Sequence, residues 1–163
     1  MKRILAAIDF SDVTDAVIDA AADLARRYNA SLQILHTELP PVCFVGYPLE
    51  PAVLDTELDA RVEWDTRKLD AIRQRLAEAG VKAECCVRTG HTAACILDSA
   101  QRFGADLIVI GTHEHGVLRN LFLGGVRDDL ISQAPCPVLI VPPVRTAPGK
   151  AAEAPAEVAE ALA

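Results

Sequence analysis

Residues 106–142 read DLIVIGTHEHGVLRNLFLGGVRDDLISQAPCPVLIVP, and this stretch decides the fold class. Leu107 to Ile110 is a continuous apolar run, which as a strand needs both faces of a sheet covered. Gly111 follows it directly, the pair Gly124-Gly125 opens a short helix over about 126–133, and Val138 to Val141 is a second apolar strand. A buried strand, a glycine-bearing loop, a helix start and another buried strand are the parts with which α/β domains cradle phosphates. Glycines there let the backbone approach an anion, and the helix N-terminus offers free N–H groups. One residue conflicts with that reading: Glu114 puts a negative charge on the loop.

Working outward, strand and helix signals alternate along the rest of the chain. Lys2 to Ile8 reads as a first strand. From Asp12 to Tyr28 the residues Val13, Val17, Ala20, Ala21, Leu24 and Tyr28 share one helical face, with Ser11 as N-cap and Asn29 as stop. Ser31 to Thr37 is a second strand. The loop after it holds Pro40, Pro41, Gly46, Pro48 and Pro51, which excludes regular helix or central strand. A long helix over about 52–79 carries Leu54, Leu58, Val62, Leu69, Ile72 and Leu76 on one face. Its wetter side pairs Glu57 with Arg61 and Glu63 with Arg67, and Gly80 ends it. Val81 to Arg88 is a third strand, and Thr92 to Phe103 a helix closed by Gly104. Asp106 to Ile110 and Val138 to Val141 complete βαβαβαβαβ. Such alternation with right-handed crossovers implies one five-stranded parallel sheet, doubly wound, with ligands at the carboxyl ends of the strands where the order reverses. That places Ala7 to Asp9, Thr37 and Ile110 to Gly111 around one crevice.

Composition narrows the partners. With 163 residues, 51% hydrophobic, the chain can build one sizeable core. A net charge of -7 and no basic cluster beyond dipeptides give no reason to approach nucleic acid or an anionic membrane. The first apolar run is broken by Asp9, too early for a signal-peptide core, so a cytoplasmic protein is expected. Five cysteines without CxxC spacing argue against a disulfide framework, a zinc knuckle or a thioredoxin-type motif. Cys85 and Cys86 point to opposite faces of a strand, so one of them is expected in the core. Residues 1–144 read as the domain, and 145–163, rich in Ala, Pro and Glu, as a solvated tail.

Taken together, KRILAAIDFSD at the start, LQILHT in the second strand, ADLIVIGTH and LGGVRDDLISQAPCPVLIVP resemble the universal stress protein family over nearly the whole chain to Pro142. The resemblance implies a Rossmann-like domain of the adenine nucleotide α-hydrolase type, usually dimeric, acting in stress response or signalling. It also implies an ATP-phosphate loop of the form Gly, two residues, Gly, nine residues, Gly, then Ser or Thr. Here those four positions are Gly111, Glu114, Gly124 and Gly125, so two of them depart. Asp9 matches the family's acidic contact to ribose or adenine. Ala7 and Thr37 fall where the family lines the adenine site, Ile110 and Val126 flank the phosphate loop, and His113 matches a loop position often polar or histidine. The nucleotide-binding set implied is therefore Ala7, Asp9, Thr37, Ile110, Gly111, His113, Gly124, Gly125 and Val126. An ionised Glu114 turned inward would repel phosphate by a few kcal/mol in a partly desolvated site, and Gly125 forgoes a hydroxyl donor of about 1 kcal/mol. ATP or another adenine nucleotide is the expected ligand, with Mg²⁺ beside it; a nucleotide-independent interaction protein is the alternative.

Other chemistry is less well supported. His113 and His115, with Glu114, His91 or Cys136, suggest a metal- or redox-responsive reading, but loop histidines are ordinarily solvated, and no metal ligand set is assigned. His36, inside the second strand, reads as a hydrogen-bonded core residue. There is no Ser-His-Asp spacing, no GxSxG and no Walker lysine, so no catalytic residue is assigned and at most slow ATP hydrolysis is expected. Pro137 to Val141 at a sheet edge is too apolar to leave exposed, which predicts a homodimer through that strand.

Overall fold

The computed structural model describes residues 1–39, 51–112 and 126–143, without the side chains of 51–55, 57 and 126–129. The proline loop with Cys43, the segment holding His113, Glu114, His115, Gly116, Gly124 and Gly125, and the Ala/Pro/Glu-rich end lie outside the described residues. In chain order the elements are β1 (Arg3–Ile8), α1 (Thr14–Tyr28), β2 (Ser31–Glu38), α2 (Pro51–Glu78), β3 (Ala83–Thr89), α3 (Thr92–Phe103), β4 (Leu107–Gly111), α4 (Val126–Gln133) and β5 (Val138–Val141). The five strands form one sheet in the order β3-β2-β1-β4-β5, and every pairing is parallel. The doubly wound α/β architecture expected from the alternation is the one observed.

The central strand explains the sheet. β1 is flanked by β2 and β4, and Ile4, Leu5 and Ala6 have no exposed surface. Alternate residues feed two cores. Ile4, Ala6 and Ile8 pack with Ile34, Val17, Ile18 and Leu69 on the α1/α2 face. Leu5, Ala7 and Leu35 pack with Ile96, Ile108 and Leu130 on the α3/α4 face. Each fully buried Ile or Leu contributes about 1.5–3 kcal/mol of transfer free energy, so the sheet is held mainly by these two layers. Asp106 ties β4 to the start of β1: its Oδ2 accepts from the backbone N–H of Lys2 at 2.6 Å and of Arg3 at 3.0 Å. Those two bonds hold its carboxyl below the usual carboxylate range.

Helix ends follow local chemistry, with one correction. Asn29 and Gly104 stop α1 and α3 in the left-handed conformation, at φ 49° and 65°. Ser11 is not the cap of α1. The helix begins two residues later, after Val13, with no side-chain cap. The Ser11 hydroxyl is instead committed to Asp9 Oδ1 at 2.5 Å, a charge-assisted bond that outcompetes a backbone amide. On α2, Arg67 meets Glu63 at 3.9 Å as the spacing predicts, and Arg61 reaches Glu38 on β2 at 2.9 Å; the side chain of Glu57, its expected partner, lies outside the described residues. Neither Cys85 nor Cys86 is fully buried; each is half-covered, because β3 is an edge strand.

Candidate functional site

The sheet order reverses between β1, whose chain continues toward β2, and β4, whose chain continues toward β5, so the carboxyl ends of these strands splay apart. A cavity of about 520 Å³ opens there. Ala7 and Asp9 come from the end of β1, Thr37 from β2, and Ile110 and Gly111 from β4, all on its wall. Of the residues read from the sequence, the structure therefore brings five together. Val126 begins α4. His113, Gly124 and Gly125 lie outside the described residues.

Each of the five is positioned by the backbone around it. Asp9 follows the last residue of β1, and its carboxylate organises the turn into α1 by accepting from Ser11 N–H at 3.1 Å and from its hydroxyl. Thr37 points to the α3 side, where its hydroxyl meets that of Thr92 at 3.2 Å. Ala7 and Ile110 are register partners on adjacent strands and are 8% exposed each, a small apolar floor. Gly111 has a packing role besides its place on the cavity wall. It does not adopt a positive φ. A β-carbon there would meet Val13 Cγ1 at 2.5 Å and Val17 Cγ2 at 3.1 Å, so the glycine admits α1 onto the end of β4.

On the α2 side the cavity wall is polar and aromatic. His36 is 6% exposed. Its Nδ1 lies 2.9 Å from the Ile8 carbonyl, so that nitrogen carries the hydrogen, and the expectation of a hydrogen-bonded core histidine holds for this half of the ring. The other half faces acid: Nε2 is 3.4 Å from Asp65 Oδ2 and 3.9 Å from Glu38 Oε2. Phe10 lies against the imidazole with centroids 4.4 Å apart and the rings tilted by 43°, and its backbone holds a left-handed φ of 59°, a strain of order 1 kcal/mol or more for an aromatic residue. Lys68 lies 4.4 Å above the Phe10 ring and 3.3 Å above the ring of Trp64, which is 56% exposed.

Asp65, Trp64, Phe10 and Lys68 were not singled out by the sequence reading, and one of them left a signal. The apolar stripe of α2 runs through 58, 62, 69, 72 and 76, and position 65 completes its four-three spacing with an aspartate. An acidic residue on the core face of an amphipathic helix is costly unless paired, and Asp65 is 5% exposed. Phe10 and Lys68 carry no such mark, because their roles come from contacts between β1, β2 and α2.

A parallel, doubly wound sheet with its crevice at the β1/β4 reversal defines an α/β domain of the Rossmann-like class. Comparison with known proteins gives the family. The universal stress protein family profile matches residues 1–142, and the chain belongs to that family. It is 34% identical over 145 residues to universal stress protein YxiE of Bacillus subtilis, covering 86% of this chain and 98% of that one. A solved universal stress protein family member from Burkholderia pseudomallei is similar at 30% identity and a TM-score of 0.67, covering 86% of this chain and 96% of that one. Two more distant structures, each 21% identical and each covering 97% of its own chain, share the fold. One is a universal stress protein in complex with cAMP, covering 87% of this chain at a TM-score of 0.59. The other, from Archaeoglobus fulgidus in complex with dAMP, covers 86% of this chain at a TM-score of 0.56. Among the described residues no helix is long and apolar enough to cross a membrane.

Proposed function

We propose that this universal stress protein is a cytoplasmic, homodimeric stress-response module whose ligand is an adenine nucleotide held in the β1/β4 cavity. The observation that carries the reading is the cavity itself. At about 520 Å³ it is in the size range of small-molecule sites, and it lies where parallel sheets bind ligands. Its contents suit a nucleoside. Ala7, Leu35, Ile96 and Ile110 offer an apolar surface to a planar base, while the Asp9 carboxylate and the Thr37 hydroxyl are acceptors for ribose or base N–H groups. The complexes of two relatives with cAMP and dAMP support the choice of an adenine nucleotide.

The phosphate end is where this chain differs. Glu114 and Gly125 replace a glycine and a hydroxyl residue of the family's loop pattern, which lowers the affinity expected for a triphosphate more than for a monophosphate. That departure is also the specific observation behind a second reading, an interaction protein that has lost nucleotide binding. No catalytic residue is assigned, and turnover of ATP is at most slow.

Calorimetric titration of the purified full chain with AMP and with ATP and Mg²⁺ tests the proposal. Trp64, the single tryptophan, lines the cavity, so its fluorescence gives an independent signal. Saturable binding with a matching change in Trp64 emission supports the nucleotide reading. No binding up to millimolar nucleotide, and none gained by Glu114→Gly with Gly125→Ser, refutes it in favour of the interaction protein.

A further inference from the structure

The cluster of His36, Glu38 and Asp65 is not accounted for by nucleotide binding. His36 and Glu38 project from one face of β2, two residues apart, and Asp65 meets them from α2. One ligand atom from each lies within 4.8 Å of the others. We propose that these three side chains form a binding site for a divalent first-row transition cation such as Zn²⁺, clipping β2 to α2 at the wall of the cavity.

The ring orientation is the first support. A carbonyl can only accept, so the 2.9 Å contact with Ile8 fixes the hydrogen on Nδ1 and directs Nε2 at the carboxylates. Donation of one ring N–H to a backbone carbonyl is the arrangement that holds metal-bound histidines. The second support is distance. An imidazolium bound directly to a carboxylate closes to about 2.7–2.9 Å. The separations here are 3.4 Å to Asp65 and 3.9 Å to Glu38. Two ligands each about 2.1 Å from one ion at a near-tetrahedral angle stand about 3.4 Å apart, so the Asp65 spacing suits a shared ion better than a direct bond.

Charge and burial complete the argument. Asp65 is 5% exposed, and its carboxylate faces His36 Nε2 at 3.4 Å, longer than a direct charge-assisted hydrogen bond. Arg61 binds Glu38 Oε1 at 2.9 Å, which leaves Oε2 on the His36 side. Two carboxylates lie beside the imidazole in a mostly covered site, an arrangement that attracts a cation. Lys68, over Phe10 and Trp64, is engaged with aromatic faces. A nitrogen with two carboxylate oxygens suits Zn²⁺, Mn²⁺ or Fe²⁺, and the adjoining cavity leaves room for water as a further ligand.

The test uses metal alone, without nucleotide, so its outcome does not depend on the proposed ligand. Metal-stripped, untagged full chain is titrated with Zn²⁺ by calorimetry and with Co²⁺ by visible absorption. The expected result is one ion per chain, a Co²⁺ spectrum without thiolate charge-transfer bands, and a Tm that rises with Zn²⁺. Glu38→Gln and Asp65→Asn should each weaken binding at least ~10-fold, since loss of even a supporting partner of a metal ligand costs that much. Should Asp65→Asn fail to fold, Glu38→Gln and the wild-type spectrum still decide. Absence of saturable binding, a thiolate spectrum, or affinity unchanged in Glu38→Gln overturns the assignment.

Discussion

Replacing Gly111 by alanine separates two roles that a glycine at the end of a strand can play. If it serves backbone approach to a ligand, alanine should leave the fold nearly intact and weaken binding. The geometry argues for packing instead. The added carbon would stand 2.5 Å from Val13 Cγ1 and 3.1 Å from Val17 Cγ2, against about 3.5–4.0 Å for ordinary carbon contacts. Val13 and Val17 are each 1% exposed, so neither can swing into solvent, and α1 must shift by about 1 Å or more. Overpacking of this kind costs about 1–3 kcal/mol. In a domain of this size that lowers Tm by roughly 3–10 °C. Thermal and urea unfolding of Gly111→Ala, Val13→Ala and the double variant provide the assay. Val13→Ala removes the carbon that alanine 111 would strike, so the double variant should be more stable than the sum of the single losses, by about 0.5–3 kcal/mol of coupling. A Gly111→Ala protein within ~1 °C of wild type, or strictly additive losses, would refute the packing argument and return the glycine to the ligand.

Two further predictions use other parts of the fold. Burial pushes the Cys85 thiol from 9.0 up to about 11, and burial likewise raises Cys86, Cys95 and Cys136. As pH climbs past 9.0 the unfolded chain loses thiol protons before the folded one does, so the thiol contribution to stability is complete below 9.0 and declines toward about 11. Urea midpoints at several pH values should fall across that window, and less steeply in Cys85→Ser; an identical slope in the variant would contradict it. At the other edge of the sheet, Leu139 of β5 is 38% exposed, and Leu139→Lys should give single-chain mass by light scattering with Tm close to that of wild type, whereas an unchanged dimer would move the proposed interface elsewhere.

The sequence by itself determined the elements and their order. The alternation of strand and helix, the stops at Asn29 and Gly104 and the bounds of α3, α4 and β5 all depend on residues within a few positions of one another, and local periodicity and backbone preference record that information. It also located the crevice, because right-handed crossovers leave a parallel sheet few places for one. Only the tertiary structure decided how side chains from distant segments use that crevice. Arg61 of α2 meets Glu38 of β2, and Gly111 at the end of β4 makes room for Val13. Asp65 sat in plain view as the acidic break in an apolar stripe, but its partner His36 lies on another element. Pairings across such separations follow from the twist and register of the assembled sheet, and no local pattern encodes them.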